Sequence, residues 1–193
     1  MSFIKFNKRL IKSVLNYVFI AFLIFLIISP NGKAWLLRQF LSVGLFKAEI
    51  KKDAVKDLPE NSSFFFTDSI GNTANTSGLE GKVVFINFWA SWCPPCRAEM
   101  PSINELYKKL QSDTNFVFLF INEDEDKSKA YEYLEANHFS FPVFYTSGHV
   151  PGEMFTGTLP TTIVINKEGK IVFRHEGLSG YNTESFIRQL KEL

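Results

Sequence analysis

The sequence predicts a layered α/β domain, a central mixed β-sheet with helices on both faces, preceded by one transmembrane helix. Three observations carry this. The apolar run over 83–89, Val-Val-Phe-Ile-Asn-Phe-Trp, has β-branched and aromatic residues and no turn former, the mark of a strand buried on both faces. A helix then opens at Cys93-Pro94-Pro95-Cys96, because proline suits a first helical turn, where amides have no intrahelical partner and the fixed φ is already helical. Met100, Ile103, Leu106, Tyr107 and Leu110 recur at three- and four-residue steps and give that helix an apolar face. A second apolar run over 115–122 completes strand, helix and strand, for which a right-handed crossover is expected.

The chain has 193 residues, room for one domain plus a tail, and its 21 Phe can fill a sizeable core. A formal net charge of +1 gives no electrostatic bias towards nucleic acid, which is not expected as a partner. The two cysteines lie three residues apart, so a bridge between them closes almost no loop. Their value is therefore chemical or metal-related.

Taken in order, residues 1–13 carry Lys5, Lys8, Arg9 and Lys12 and no acid, and 14–28 is apolar apart from Asn16. With its flanks, 10–29, this run spans about 30 Å at ~1.5 Å per residue, the thickness of a bilayer core. We expect a basic cytoplasmic N-terminus over 1–13 and a single-pass cytoplasmic-membrane anchor over 14–29. The positive-inside rule then puts the rest of the chain on the periplasmic or other extracytoplasmic side. A cleaved signal peptide is the competing reading, although no Ala-x-Ala-like site follows Ile28. The next stretch, 30–61, reads as juxtamembrane. Trp35, Leu36, Leu37, Phe40, Leu41, Leu45 and Phe46, with Lys33 and Arg38, suggest an amphipathic helix at the membrane surface, with packing on the domain as the alternative, and 47–61 reads as a linker.

The folded domain is expected over 62–193. It opens with a strand over 63–67, followed by a turn-rich stretch to Gly81. The acidic run 123–126 precedes a helical segment ending near Asn137 and is read as complementing that helix's dipole. A short strand over 141–145, a loop or short helix over 150–158, and a hairpin over 161–175 turning at Gly169 come next. A helix over 185–193, with Phe186, Ile187, Leu190 and Leu193 on one face, closes the chain.

A strand that delivers Cys93 to a helix N-terminus places it where the dipole and free amides favour the thiolate, the reactive form of cysteine. The run Trp89-Ala90-Ser91-Trp92-Cys93-Pro94-Pro95-Cys96 resembles the thioredoxin active-site signature, and the chain from about 63 to 193 resembles membrane-tethered thiol-disulfide oxidoreductases of the TlpA/ResA type. The resemblance implies a thioredoxin-like fold with an inserted helix and strand at about 127–145. It further implies Cys93 as nucleophile at the exposed helix end, Cys96 as resolving thiol one turn in, and a cis bond before Pro160. Leu159 would then offer its backbone to an extended substrate beside Trp92, Pro94 and Pro95. Glu99, one turn past Cys96, matches a family glutamate that adjusts thiol acidity or shuttles a proton, against the plainer reading of an acid complementing the helix dipole. Asn87 stands where thioredoxin carries a buried aspartate, and an amide cannot act as a base; its plainer reading is a strand residue satisfied in the core.

No cofactor is expected beyond the Cys93–Cys96 dithiol itself. The implied partners are disulfide-containing protein substrates, apocytochrome c among them, a membrane thiol-disulfide electron donor, and lipid around 14–29. Two prolines leave few amides for the Cys93 thiolate, so a reducing couple is expected, nearer about −270 mV than about −120 mV. The alternatives are a tethered metal-binding or delivery domain, for which His138, His149 and His175 are the only histidines, and a thiol peroxidase, whose pattern would need proline at Ile86 and threonine at Ala90.

Overall fold

The computed structural model describes residues 8–50 and 62–193, so the N-terminal lysine at 5 and linker residues 51–61 lie outside the described residues. Helix α1 (Lys8–Ile28) contains a 19-residue apolar stretch, Leu10–Ile28, with mean hydropathy 2.4 and none of it buried. By length and composition it can cross a membrane. Ser29 ends it and starts the next helix, its Oγ accepting from the Gly32 amide at 2.8 Å, and Pro30 supplies the first residue of α2 (Pro30–Ser42). The elbow between the helices is so tight that a Cβ on Gly32 would sit 2.8 Å from Leu26 Cα, so only glycine fits there.

The central sheet has the order β4-β3-β6-β7, with β3 (Val83–Trp89) parallel to β4 (Phe116–Asn122) and antiparallel to β6 (Thr161–Ile165), which pairs with β7 (Ile171–Glu176). All seven residues of β3 are buried, as its uninterrupted apolar run requires. One face of the sheet meets α3 (Pro94–Leu110), α4 (Ser128–Ala136) and α5 (Glu184–Lys191), with Phe85, Trp89, Met100, Leu106, Tyr133, Phe186 and Leu190 in one cluster. On the other face Val84, Ile86, Phe88 and Ile163 meet Phe64, Phe66 and Met154. There a small sheet of order β2-β1-β5 is added, formed by β1 (Phe65–Thr67), β2 (Thr73–Asn75) and β5 (Tyr145–Ser147).

Three expectations change. Of the strand expected over 141–145, Phe144 makes a single parallel bridge to Ile121 of β4, donating to Phe120 O at 2.9 Å and accepting from Asn122 N at 2.8 Å, and a continuous strand begins only at Tyr145, antiparallel to β1. Pro142 has no amide to donate, and Phe141 and Val143 serve instead as buried anchors. The turn-rich stretch before Gly81 hides β2, a polar strand without periodicity, closed onto β1 by Asp68, whose Oδ1 accepts from the amides of Ile70 and Asn72. The first part of the linker is docked rather than free. Ala48 N donates to Gly180 O at 3.1 Å and Ile50 N to Gln189 Oε1 at 3.0 Å. Likewise α2 packs along α3, with Ala34 buried, while Trp35, Leu36 and Phe40 remain exposed.

Phe85 has no exposed surface and rings of Phe118, Phe120 and Tyr181 lie within 5.5 to 6.2 Å of it. Phe85→Ala is expected to cost about 3–5 kcal/mol of unfolding free energy in denaturant titration of the oxidised protein, against within about 0.5 kcal/mol for exposed Ile70→Ala.

Candidate active site

The site begins where β3 ends. Trp89 is fully buried, its ring against Tyr133 and Phe141, and from it the chain turns through Ala90, Ser91 and Trp92. This turn is fastened by Asp124, just past β4. Its carboxylate accepts from the Ser91 amide at 3.0 and 3.2 Å, from Ser91 Oγ at 3.0 Å and from Asn122 Nδ2 at 2.8 Å. Within the acidic run, Asp126 meets the helix start, its Oδ1 accepting from the Ser128 amide, whereas Asp124 braces the loop ahead of the cysteines.

Cys93 is the N-cap of α3, with Pro94 and Pro95 at its first two positions, as the sequence predicts. Cys93 and Cys96 are joined in a disulfide. Cys93 Sγ accepts from Cys96 N at 3.3 Å. This disulfide sulfur occupies the place a thiolate takes after reduction. Pro94 and Pro95 have no N–H to add to it. Cys96 is fully buried as expected, but Cys93 is only 3% exposed, because its sulfur is bonded inward to that of Cys96. The exposed part of the neighbourhood is Trp92, at 60%, with Pro94 and Pro95 half-buried beside it.

The Leu159-Pro160 bond is cis. Thr161 pairs with Phe88, so Pro160 enters β6 alongside the end of the strand that leads to the cysteines. Pro160 is buried and Leu159 half-buried. Sequence reasoning thus places Cys93, Cys96, Trp92, Pro94, Pro95, Leu159 and Pro160 around one end of the β3–β6 pair.

Glu99 is fully buried on α3, facing β3. Its Oε1 accepts from Asn87 Nδ2 at 2.9 Å and its Oε2 from the Ser179 amide at 3.3 Å. Asn87 also donates to Thr162 Oγ1 at 2.8 Å, while its own Oδ1 is buried without a partner among the described residues, as is the Tyr181 hydroxyl. Burial pushes the Glu99 carboxyl from 4.5 to about 8, and the bonds from Asn87 and Ser179 offset only part of that. Tyr181 is raised well above its ordinary value, by burial first and then by the Glu99 charge. The departure at Asn87 and the acid at Glu99, separate in the sequence, are therefore one hydrogen-bonded unit. Thr162, Ser179 and Tyr181 were not foreseen: each comes from a distant stretch, and single polar residues carry no periodic signal.

A carboxyl whose folded pKa is raised binds more protons folded than unfolded, so its stabilising contribution is complete below about 4.5 and is lost as pH rises through about 8. The denaturation midpoint of the oxidised protein should fall across that window, and Glu99→Gln should flatten the fall; an unchanged slope in the variant would remove Glu99 as its source.

Comparison with known proteins agrees with this geometry. The model of the family described as Redoxin matches residues 52–188. The chain is 34% identical over 145 residues to the thiol-disulfide oxidoreductase ResA of Bacillus cereus, covering 72% of this chain and 82% of that one. To ResA of Bacillus subtilis it is 32% identical over 143 residues, covering 74% and 78%. Among solved structures, a putative thiol:disulfide interchange protein DsbE from Chlorobium tepidum superposes with a TM-score of 0.58 at 27% identity, covering 70% of this chain and 96% of that one. StoA from Bacillus subtilis does so with 0.53 at 25%, covering 71% and 98%. With a Cys-Pro-Pro-Cys disulfide at the start of α3, a cis-proline at the head of β6 and these relatives, the chain belongs to the Redoxin family and is a thioredoxin-like thiol-disulfide oxidoreductase.

Proposed function

We propose that this enzyme is a membrane-anchored reductase of protein disulfides, with its dithiol outside the cytoplasm. The observation that carries the reading is the Cys93–Cys96 disulfide at the start of α3 beside the cis Leu159-Pro160 bond, with the buried Glu99 carboxyl, pushed up to about 8, one helical turn past Cys96. A proton acceptor of that strength can take the proton that Cys96 must lose before it attacks, since its affinity is close to that of a thiol.

In the proposed cycle the Cys93 thiolate attacks one sulfur of a substrate disulfide, forming a mixed disulfide and releasing one substrate thiolate. Cys96 passes its proton to the ionised fraction of Glu99, about a tenth at pH 7 for a carboxyl pushed up to about 8, and attacks Cys93 Sγ. The second substrate thiolate leaves, and two electrons have moved from the dithiol to the substrate. A proton on Glu99 needs an acceptor, and a half-turn of the Asn87 amide would bring its otherwise unpaired Oδ1 to the place where Nδ2 now meets Glu99. The substrate segment would run past Leu159 and Pro160, with Trp92, Pro94 and Pro95 forming the near wall. Return to the dithiol requires a second thiol protein, here assigned to an electron donor in the same membrane.

The apolar helix α1 supports anchorage, and the basic residues around its start support a cytoplasmic N-terminus. The exposed Trp35, Leu36 and Phe40 of α2 suit the lipid surface at the outer end of the span. Proteins of the cell envelope, apocytochrome c among them, are the proposed clients.

Cys96→Ala leaves the mixed disulfide unresolved, so the full chain should accumulate covalent, dithiothreitol-sensitive adducts with its clients. Cys93→Ala should accumulate none; the same adducts in that variant would show that Cys93 is not the attacking thiol.

A further inference from the structure

The first turns of α3 contain a defect. In an α-helix the carbonyl of Arg97 accepts from the amide four residues on, but that residue is Pro101, which has no N–H. The carbonyl next to Cys96 is filled instead from outside the helix. Arg38 of α2 donates to it from Nη2 at 2.8 Å and from Nε at 3.3 Å, and the Tyr133 hydroxyl of α4 lies at 3.5 Å.

Two further struts join the same segment to the redox site. Arg97 stacks its guanidinium 4.7 Å from the Tyr133 ring centre and donates both to Ser91 O, in the turn before Cys93, at 3.0 Å, and to Asn31 Oδ1, in the first turn of α2. Past the end of α2, Phe46 O accepts from Gly180 N at 2.8 Å and from Ser179 Oγ at 3.0 Å, and the Ser179 amide is the one bonded to Glu99. Phe46 holds a φ of +61°, which a bulky residue adopts only when its surroundings impose it. The groups facing the Arg97 carbonyl are thus Arg38, Arg97 itself and Tyr133, with Glu99 and the thiols on α3. Among the described residues neither arginine is in an ion pair with a carboxylate.

We propose that Arg38 is a positioning residue of the redox helix, supplying the donor that Pro101 withholds, and that the juxtamembrane stretch 30–50 is a working part of the active site rather than a tether. Through it the anchor braces the Cys96 side of the dithiol and the Ser179 partner of Glu99 together. The inference rests on the assignment of Cys93 as the attacking thiol.

The test is the pH dependence of Cys93 alkylation by iodoacetamide in the full-length chain in detergent, with Cys96→Ala as the parent so that one thiol reacts. Arg38→Ala leaves the Arg97 carbonyl only the long 3.5 Å approach of the Tyr133 hydroxyl and removes a cation beside the helix start, so the profile should move to higher pH and the rate at neutral pH should fall by about 3- to 10-fold. Arg38→Gln, which keeps one donor and disturbs packing less, should lie between. Adding Pro101→Ala to Arg38→Ala restores a backbone N–H to the carbonyl and should recover at least half of the shift, a rescue that loss of packing alone does not give. Superimposable profiles for parent and Arg38→Ala, or a double variant no better than the single, overturn the proposal. A parent whose Cys93 shows no thiolate titration instead overturns the assignment of the nucleophile.

Discussion

A carboxyl sealed from water must be neutral or be met by enough donors to hold its charge, and among the described residues Glu99 has two. That half-compensation is the constraint on which the rest of the site depends. Fewer donors would leave the acid permanently protonated, and a cation in the cage would keep it permanently ionised; either way it could not trade a proton with a thiol near neutral pH. The fold enforces the balance by surrounding it with uncharged groups. Asn87 comes from the central strand, Thr162 from its antiparallel neighbour and Ser179 from the loop after β7, all on the face covered by the redox helix.

The same geometry explains why the chain needs two buried faces on β3. Odd positions from Val83 to Trp89 point to α3 and deliver Asn87 to Glu99, while even positions anchor the strand on Phe64, Phe66 and Met154. With the strand held from both sides, its C-terminal end and the Asp124 brace on Ser91 define where Cys93 starts the helix. The surface beside the disulfide is thereby fixed in place, with Trp92 as its exposed part.

Much of this was legible in the sequence, because its strongest signals are local and periodic. The strand at 83–89, the helix from Pro94, the strand to Asn122, the hairpin turning at Gly169 and the closing helix lie within a residue or two of expectation. The cysteine pair stands out by its spacing, while the cis bond before Pro160 and the weight given to Glu99 come from the family resemblance rather than from any periodic signal. What escaped depends on partners far away in the chain. The strand β2 is polar and exists only by pairing with β1, and β5 is displaced by Pro142. The segment 47–50 reads as a charged linker until Gly180 and Gln189 bind it, and Asp124 reads as a helix-start acid until Ser91 is seen beside it. Side-chain hydrogen bonds across 30 to 140 residues leave no periodic trace.

The central claim, that Glu99 exchanges a proton in step with the dithiol, is most directly tested by the midpoint potential of the Cys93–Cys96 couple as a function of pH, in the full chain and in Glu99→Gln. In the oxidised protein Glu99 loses its proton near pH 8. In the reduced protein a neighbouring thiolate holds that proton to higher pH, so above about 8 reduction should take up one proton more than in the variant. The potential of the unaltered chain should then fall more steeply by about 30 mV per pH unit, the increment for one added proton in a two-electron couple, from a neutral-pH value near about −270 mV. Parallel curves for the two proteins, or a neutral-pH potential above about −180 mV, would contradict the account.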